Sequence, residues 1–314
     1  MRSLRWVAPF GRSGFWFLVL GSWLKTKNQK LKTAAKPPAK RLLFLVVLLI
    51  VFLSSCGGPP PALDLGWEPD SPTVYRVSAS AESGFSGAVS DLEAATEMTA
   101  AFRVSPASDS SVEVETLYLA ANVRDAFGEP VALNLGRLAG SGATVRFGSP
   151  GVATGVEGDE ELLEAPVPLI SVESVIRHLF PPLPEGSFRS GDTWTGEMPP
   201  AFPNLEGEPV RMRYVVDRVN PPDGSIEGYE LSVEPRSFEA DTPGGAVSGE
   251  GHLDVVFEGE LDERTGYQSM ERTSRFDSDF IRLEGGAYAN GNLWMEEEMV
   301  VERLSQAEQF GLDP

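Results

Sequence analysis

Apolar and polar residues alternate along much of the chain after residue 90, which is the pattern of half-buried β-strands. Along residues 92–104, one face collects Leu, Ala, Thr, Met, Ala, Phe and Val, while Glu93, Glu97 and Arg103 fall on the other face. The same pattern predicts further strands at residues 112–123, 131–138, 143–147, 211–219, 226–233, 247–261, 267–283 and 287–303. The sequence therefore predicts an all-β, mainly antiparallel fold.

Turn-forming residues separate these predicted strands. The segments 106–110 (Pro-Ala-Ser-Asp-Ser) and 220–224 (Asn-Pro-Pro-Asp-Gly) each favour a reversal of the chain, and a short turn at 139–142 does the same. Gly249 and Gly251 lie on the apolar face of one strand, where a missing side chain indicates a bend or a close approach. Long antiparallel strands curl, so we expect a barrel, a half-barrel or two packed sheets.

One segment, residues 171–180, has helical instead of strand periodicity. Ser171 is a good N-cap, prolines follow at the end, and the apolar positions form one stripe: Val172, Val175, Ile176, Leu179 and Phe180. We predict one short helix in the middle of a β-rich domain that spans residues 67–308, with His178 directed away from the stripe. The parts on either side of the helix, 67–169 and 190–308, are expected to be two similar halves.

Large apolar side chains concentrate around this helix and its proline-rich exit. A helix on the concave face of a curved sheet can cover an apolar cavity, although the same side chains would also serve as ordinary core. The predicted ligand-binding residues are Ile176, Leu179, Phe180, Phe188, Trp194 and Phe202.

The N-terminal segment has the pattern of an export signal. Two basic residues, Lys40 and Arg41, precede an apolar stretch at residues 42–53, and small residues lead from there to Cys56. A basic flank, a short apolar core and small exit residues are typical of a secretory signal. A membrane-spanning helix needs about 20 apolar residues, which is more than this stretch provides.

The segment resembles the lipobox of bacterial lipoproteins, in which the signal is cut before a cysteine that then carries lipid. The resemblance implies acylation of Cys56 (palmitate among the acyl chains), removal of residues 1–55, and a tether at 56–66 that holds the domain to the extracytoplasmic side of a cell-envelope membrane. The basic leader is long for this family, and we hypothesise that translation begins at Leu31. Residues 171–194 are also similar to uncharacterised β-rich bacterial lipoproteins, which implies no particular site residue.

Charge is distributed unevenly along the chain. All 46 acidic residues follow Cys56, whereas ten of the 26 basic residues, including every Lys, precede it. The chain from Cys56 onward therefore carries 16 basic and 46 acidic side chains, a formal charge of −30. This charge argues against nucleic acid as a partner, and a lone cysteine leaves no disulfide within the chain. The expected partners are the membrane, through lipid on Cys56, and an apolar or lipid ligand or other envelope proteins.

The sequence has few histidines for catalysis or metal binding, and its carboxylates are too numerous to single out one site. The two histidines and the missing Gly-x-Ser-x-Gly motif leave no recognisable nucleophile and base. His252 shares a strand face with Glu250 and Asp254 and is a metal candidate, although a solvated strand face explains the same pattern. The acidic segment 157–164 is a calcium candidate without the ligand spacing of an EF-hand loop. We expect neither a metal nor a cofactor.

These features favour a non-enzymatic function. The leading hypothesis is a lipid-anchored envelope protein that binds or carries an apolar or lipid ligand. The alternative is a structural or assembly module that binds other envelope proteins, which an exposed apolar patch or an uncovered strand edge would favour. A carboxylate-dependent hydrolase is the second alternative and would need two facing acids, but the sequence selects no such pair.

Overall fold

The computed structural model describes residues 63–64, 72–87, 92–108, 110–148, 152–180, 182, 187–198, 202–203, 205–206, 209–220, 223–231, 235–242, 245–262, 266–283, 288–305 and 308. All of these residues belong to one unit, Pro60–Pro314. The predicted leader and Cys56 lie outside the described residues.

Strands make up most of this part of the chain. They are β1 (Leu63–Asp64), β2 (Thr73–Gly87), β3 (Leu92–Ser108), β4 (Ser111–Arg124), β5 (Pro130–Val131), β6 (Gly142–Gly148), β7 (Val152–Gly158), β8 (Ser187–Phe188), β9 (Thr193–Met198), β10 (Leu205–Glu206), β11 (Val210–Asn220), β12 (Asp223–Glu230), β13 (Arg236–Thr242), β14 (Gly245–Asp262), β15 (Gly266–Leu283) and β16 (Tyr288–Arg303). The α-helices are α1 (Glu160–Leu163) and α2 (Val172–His178), and a 3-10 helix covers Gly136–Leu138. The predicted short helix in the middle of an all-β domain is confirmed.

Fourteen of the strands form one sheet in which every pairing is antiparallel. Its main path runs β7-β6-β4-β3-β2-β16-β15-β14-β12-β11-β9, and β5, β10 and β13 are attached to its sides. Strand β14 is long enough to pair with β13 over one half and with β12 over the other. The described strands form an open sheet, so the closed barrel among the predicted shapes is not the one adopted.

One face of the sheet encloses a single apolar core. On β14, Leu253, Val255 and Phe257 are buried while Asp254 and Val256 between them are exposed, as the two-residue period of a strand requires. Buried residues from β2–β4, β6, β11, β12 and β14–β16 join those of α2 in one continuous cluster. The sheet therefore wraps around its apolar face and leaves its charged face to solvent.

Two parts of the strand prediction are wrong or incomplete. Residues 131–138 do not form a strand, because β5 ends at Val131 and the chain then turns into the 3-10 helix that buries Leu135 and Leu138. Three strands of seven or more residues escaped prediction, namely β2, β7 and β13. In the middle of β2 the inward Ala79 and Ala81 alternate with the outward Ser78 and Ser80, which gives little contrast in hydrophobicity.

The close approach expected at the two glycines of β14 is confirmed at Gly251. The pairing register of β14 and β15 shifts between Glu250 and His252. A Cβ atom placed on Gly251 would lie 2.5 Å from Cζ of Phe276, closer than side-chain atoms can approach. Glycine is therefore required at position 251 because the Phe276 ring packs against the backbone there.

Candidate functional site

Helix α2 is built to lie against the apolar face of the sheet. The Ser171 hydroxyl oxygen accepts the backbone N–H of Ser174 at 3.2 Å, which confirms the predicted N-cap. Glu173 and Arg177 form an ion pair at 2.6 Å, one helical turn apart, on the less buried side of the helix. The helix contacts α1 and β7, and its apolar residues join the core of the sheet.

The structure packs the six predicted ligand-binding residues in or against the apolar core of the sheet. Ile176, Leu179, Phe180 and Phe202 are at most 2 % exposed, and Phe188 and Trp194 are partly buried against the same cluster. An aromatic series continues from Phe188 to Trp194 at 5.4 Å and from Trp194 to Tyr214 at 5.3 Å between ring centroids. In this arrangement the six side chains contact the protein's own core.

The proline-rich exit of α2 is held by hydrogen bonding and ring contacts. Trp194 donates its indole N–H to the carbonyl oxygen of Pro182 at 2.7 Å. Phe180 packs edge-on against Phe147 of β6, with 5.4 Å between ring centroids. The chain at the end of α2 therefore contacts β9 through a hydrogen bond and β6 through an aromatic contact.

A buried polar cluster, which the sequence analysis did not select, lies beneath α2. Arg272 of β15 and Glu297 of β16 point to the inner face, and both side chains are 1 % exposed. One guanidinium nitrogen, Nη2, donates to both carboxylate oxygens at 2.6 Å. Ser274 is the cross-strand partner of Glu297 and is fully buried beside this pair.

This cluster carries hydrogen-bonding capacity that the protein does not use. Nε and Nη1 of Arg272 and Oγ of Ser274 are buried and have no hydrogen-bond partner. Buried polar atoms are satisfied in most folded proteins, and a group left without a partner usually has a specific reason. The signal in the sequence was an arginine that falls on the apolar face between Met270 and Phe276.

His178 lies next to this cluster, so a residue that falls off the apolar stripe of α2 is nevertheless buried. Its side chain is 1 % exposed because α2 is buried on more sides than its apolar stripe indicates. Nδ1 lies 2.5 Å from the backbone oxygen of Ser174 and 3.1 Å from its hydroxyl oxygen. His178 lines a cavity of about 10 Å³ together with Arg272, Ser274, Met198, Val210, Met212 and Val255.

Tyr214 closes the cluster on the β11 side. Its hydroxyl donates to the sulfur of Met198 at 2.7 Å. Burial raises the pKa of Tyr214 far above its usual value, and the positive charge of Arg272 opposes that rise only in part. The phenol therefore stays neutral, and the buried charges of the cluster are those of Arg272 and Glu297.

The outer face of the sheet is strongly acidic. A groove of about 270 Å³ runs across β11, β12, β14, β15 and β16. Glu227, Glu258 and Glu271 lie side by side there as cross-strand partners, while Arg218 and Arg76 pair with other acids at its margin. Like charges placed directly opposite destabilise a sheet slightly.

The predicted metal candidates do not assemble into a site. His252 is exposed on the polar face of β14. In the acidic segment 157–164, Glu157 pairs with Arg146 and Glu161 with Arg137, both at 2.7 Å. Among the described residues, no group of three or more His, Cys, Asp or Glu side chains is arranged to hold a metal ion.

Comparison with known proteins gives a likeness of fold. No protein-family model matches the chain, and no curated protein sequence matches it. A solved structure of lipovitellin and its lipid–protein interactions superposes with a TM-score of 0.50 at 11 % identity, covering 76 % of this chain and 26 % of that chain. The chain thus matches about a quarter of the length of lipovitellin, and the likeness concerns the fold alone.

A second solved structure, Pseudomonas aeruginosa OccK11 (OpdR), aligns at 8 % identity over 77 % of this chain and 99 % of that chain. Its TM-score of 0.15 is too low to indicate a shared fold. Separately, none of the helices in the described residues has the length and apolar character needed to cross a membrane.

Proposed function

We propose that this chain is a lipid-anchored cell-envelope protein that binds or carries an apolar ligand such as a lipid. The observation that carries the proposal is the architecture of the inner face. One wide, open sheet presents a continuous apolar surface, and among the described residues its helical cover is two short α-helices and one 3-10 turn. The fold is similar to that of lipovitellin, whose solved structure concerns lipid–protein interactions, and this similarity supports the proposal of a lipid ligand.

Ligand binding on this face requires α2 to move. The described core is packed, with the cavity beside α2 holding only about 10 Å³, whereas acyl chains need a site of several hundred Å³. Helix α2 has seven residues and is followed by Pro181 and Pro182, so it is a short element with a stiff exit. We propose that α2 swings away from the sheet and that an acyl chain takes its place beside Trp194.

Trp194 allows a direct test of this movement. The part of the chain from Cys56 onward contains three tryptophans, at positions 67, 194 and 294. A variant with Trp67→Phe and Trp294→Phe keeps Trp194 as its only indole. Phosphatidylcholine vesicles with bromine on the acyl chains should quench its fluorescence, since bromine quenches only on contact.

The matched control for this test keeps Trp294 and replaces Trp67 and Trp194 by Phe. Trp294 packs over Gly84 at the β2–β16 pairing. Stronger quenching of Trp194 than of Trp294, together with lipid that co-purifies and is identified by mass spectrometry, supports the proposal. Equal quenching at both positions and no co-purifying lipid would rule it out.

The membrane anchor is a separate part of the proposal. It rests on the lipobox resemblance at Cys56, and stable anchoring by lipid needs more than one acyl chain. Labelling of growing cells with a radioactive palmitate should mark the wild-type protein and not a Cys56→Ser variant. If both were labelled equally, or neither, the anchor at this cysteine would be wrong.

The alternative function, binding of envelope proteins, is favoured by one observation on the outer face. Tyr229 and Val256 are direct cross-strand partners and are 42 % and 53 % exposed, and Leu231 follows on the same side at 40 %. An exposed apolar patch of this kind marks protein contact sites. Crosslinking in cells that is lost in a Tyr229→Ser/Val256→Thr variant, with lipid binding unchanged, would support this alternative.

A further inference from the structure

We infer that the buried cluster beneath α2 is a binding site for one neutral hydrogen-bond acceptor oxygen, and that in the ligand-bound protein this oxygen is the ester carbonyl of a neutral lipid. The lipid part of the inference rests on the proposed function and names its ligand class. The donors of the site are Arg272 and Ser274, with Glu297 as the counter-ion of the arginine, and His178 of α2 covers them in the closed protein.

The donors of the cluster are suited to an acceptor. Nε and Nη1 of Arg272 each carry N–H groups that only donate, and neither nitrogen has a partner. The Ser274 hydroxyl, also without a partner, can donate as well. Arg272 and Ser274 line the same small cavity, so one oxygen placed there can receive hydrogen bonds from both.

The charge balance favours a neutral acceptor over an anion. Glu297 already neutralises Arg272 through two contacts of 2.6 Å, and both side chains are shielded from water. A ligand carboxylate would bring a second negative charge close to Glu297 without a second fixed positive charge, at a depth where desolvation of a charge is costly. An ester carbonyl presents an acceptor oxygen with no net charge.

The walls of the cavity fit an oxygen attached to an apolar chain. In the closed protein, where His178 of α2 completes these walls, the volume of about 10 Å³ is close to the least that accommodates one water molecule. The remaining walls come from apolar side chains, Met198, Val210, Met212 and Val255. An acyl chain that displaced α2 would lie on these walls with its carbonyl directed to Arg272 and Ser274. In the closed protein the same position suits a water molecule.

Three C18 ligands separate these possibilities: methyl oleate carries an ester, oleate a carboxylate, and 1-octadecene no oxygen. Their affinities for the chain from Cys56 onward would be measured by competition with a fluorescent lipid at pH 7. We expect the wild type to bind methyl oleate about tenfold more tightly than octadecene, because one or two buried hydrogen bonds are gained. Oleate should not bind more tightly than methyl oleate.

The variants remove the donors without leaving a buried charge. Arg272→Met/Glu297→Leu replaces both charges by apolar groups of similar size, and Ser274→Ala removes the hydroxyl alone. The matched control is Arg275→Met/Glu296→Leu, which changes an exposed pair on the same two strands. The inner double variant should bind methyl oleate and octadecene equally, Ser274→Ala should lose part of the preference, and the control should keep all of it.

The outcomes distinguish failure of the ligand class from failure of the proposed function. If the wild type binds all three ligands equally, or oleate best, it carries lipid but the neutral-ester inference is overturned. If it binds none, lipid carriage itself fails. A high-resolution crystal structure of the ligand-free protein then decides the site: an ordered water on Arg272 Nη1 and Ser274 Oγ supports an acceptor site occupied by water, and no oxygen there overturns the site altogether.

Discussion

Two Arg–Glu ion pairs lie on the same two strands of the sheet, one buried on its inner face and one exposed on its outer face. Arg272 and Glu297 meet on the inner face of β15 and β16, whereas Arg275 and Glu296 meet on the outer face and are direct cross-strand partners. The distances are similar, 2.6 Å and 3.0 Å. The inner side chains are 1 % exposed, and the outer ones are 56 % and 50 % exposed.

Burial, more than distance, decides what each pair contributes. The outer pair is surrounded by water, which already solvates both charges and weakens their attraction. The inner charges lost their hydration on folding, so each depends on the other, and several donors of Arg272 still lack a partner. Because the cost of desolvating both charges offsets their attraction, this buried pair adds little to the stability of the core, and a role in ligand binding accounts for it better.

The largest expected effect on stability comes from removing one partner of the inner ion pair, whereas the same change in the outer pair should have little effect. Arg272→Met should destabilise the protein by about 3–5 kcal/mol, because Glu297 is left buried without its counter-ion. Arg275→Met on the outer face should change the stability far less, and the small effect should shrink further at high salt. Urea unfolding followed by tryptophan fluorescence measures both. Equal effects of the two substitutions would contradict the role assigned to burial.

When both inner charges are removed together, we expect a smaller change in the free energy of unfolding, and in the stabilising direction. Arg272→Met/Glu297→Leu leaves no unpaired charge and adds apolar contacts, so we expect wild-type stability or a gain of up to about 4 kcal/mol. Differential scanning calorimetry of the double variant and of each single variant completes the cycle. A double variant as unstable as Arg272→Met would mean that the pair itself holds the sheet together.

The general fold could be predicted from the sequence because it depends on a repeated pattern. Alternation placed β3, β4, β11 and β14–β16 close to their observed bounds, and Ser171 with the following prolines placed α2. The alanine- and serine-rich β2 was missed because its two faces differ little in hydrophobicity. The choice of an open sheet depends on which strands lie at its edges, and no local pattern encodes that.

The site was predictable only in part, for a related reason. The six apolar residues near α2 were found because large side chains stand out, but whether they line a cavity or fill a core depends on packing across distant strands. The burial of His178 was not predicted because a helix enclosed by a curved sheet buries more than one stripe. Arg272 was visible in the alternation of β15, yet its partner Glu297 lies 25 residues away on another strand.

A third ion pair lies between the two extremes. The side chains of Glu230 at the end of β12 and Arg236 at the start of β13 are 5 % and 9 % exposed, but the shortest contact between them is 3.6 Å. The second carboxylate oxygen of Glu230 is buried without a hydrogen-bond partner. Burial raises the pKa of Glu230, and the nearby charge of Arg236 offsets this only in part.

The pH dependence of stability should therefore differ in sign from that of an ordinary paired carboxylate. Because the folded-state pKa of Glu230 lies above its unfolded value, the folded protein holds this proton more tightly. The contribution of Glu230 to the free energy of unfolding should thus rise as the pH falls through the folded pKa towards about 4.5, and decline as the pH rises. Urea unfolding at a series of pH values should show this component in the wild type and not in Glu230→Gln, which keeps a neutral group of the same shape. A difference between the two proteins that stays constant with pH would mean that the pair with Arg236 fully offsets the burial of the carboxylate.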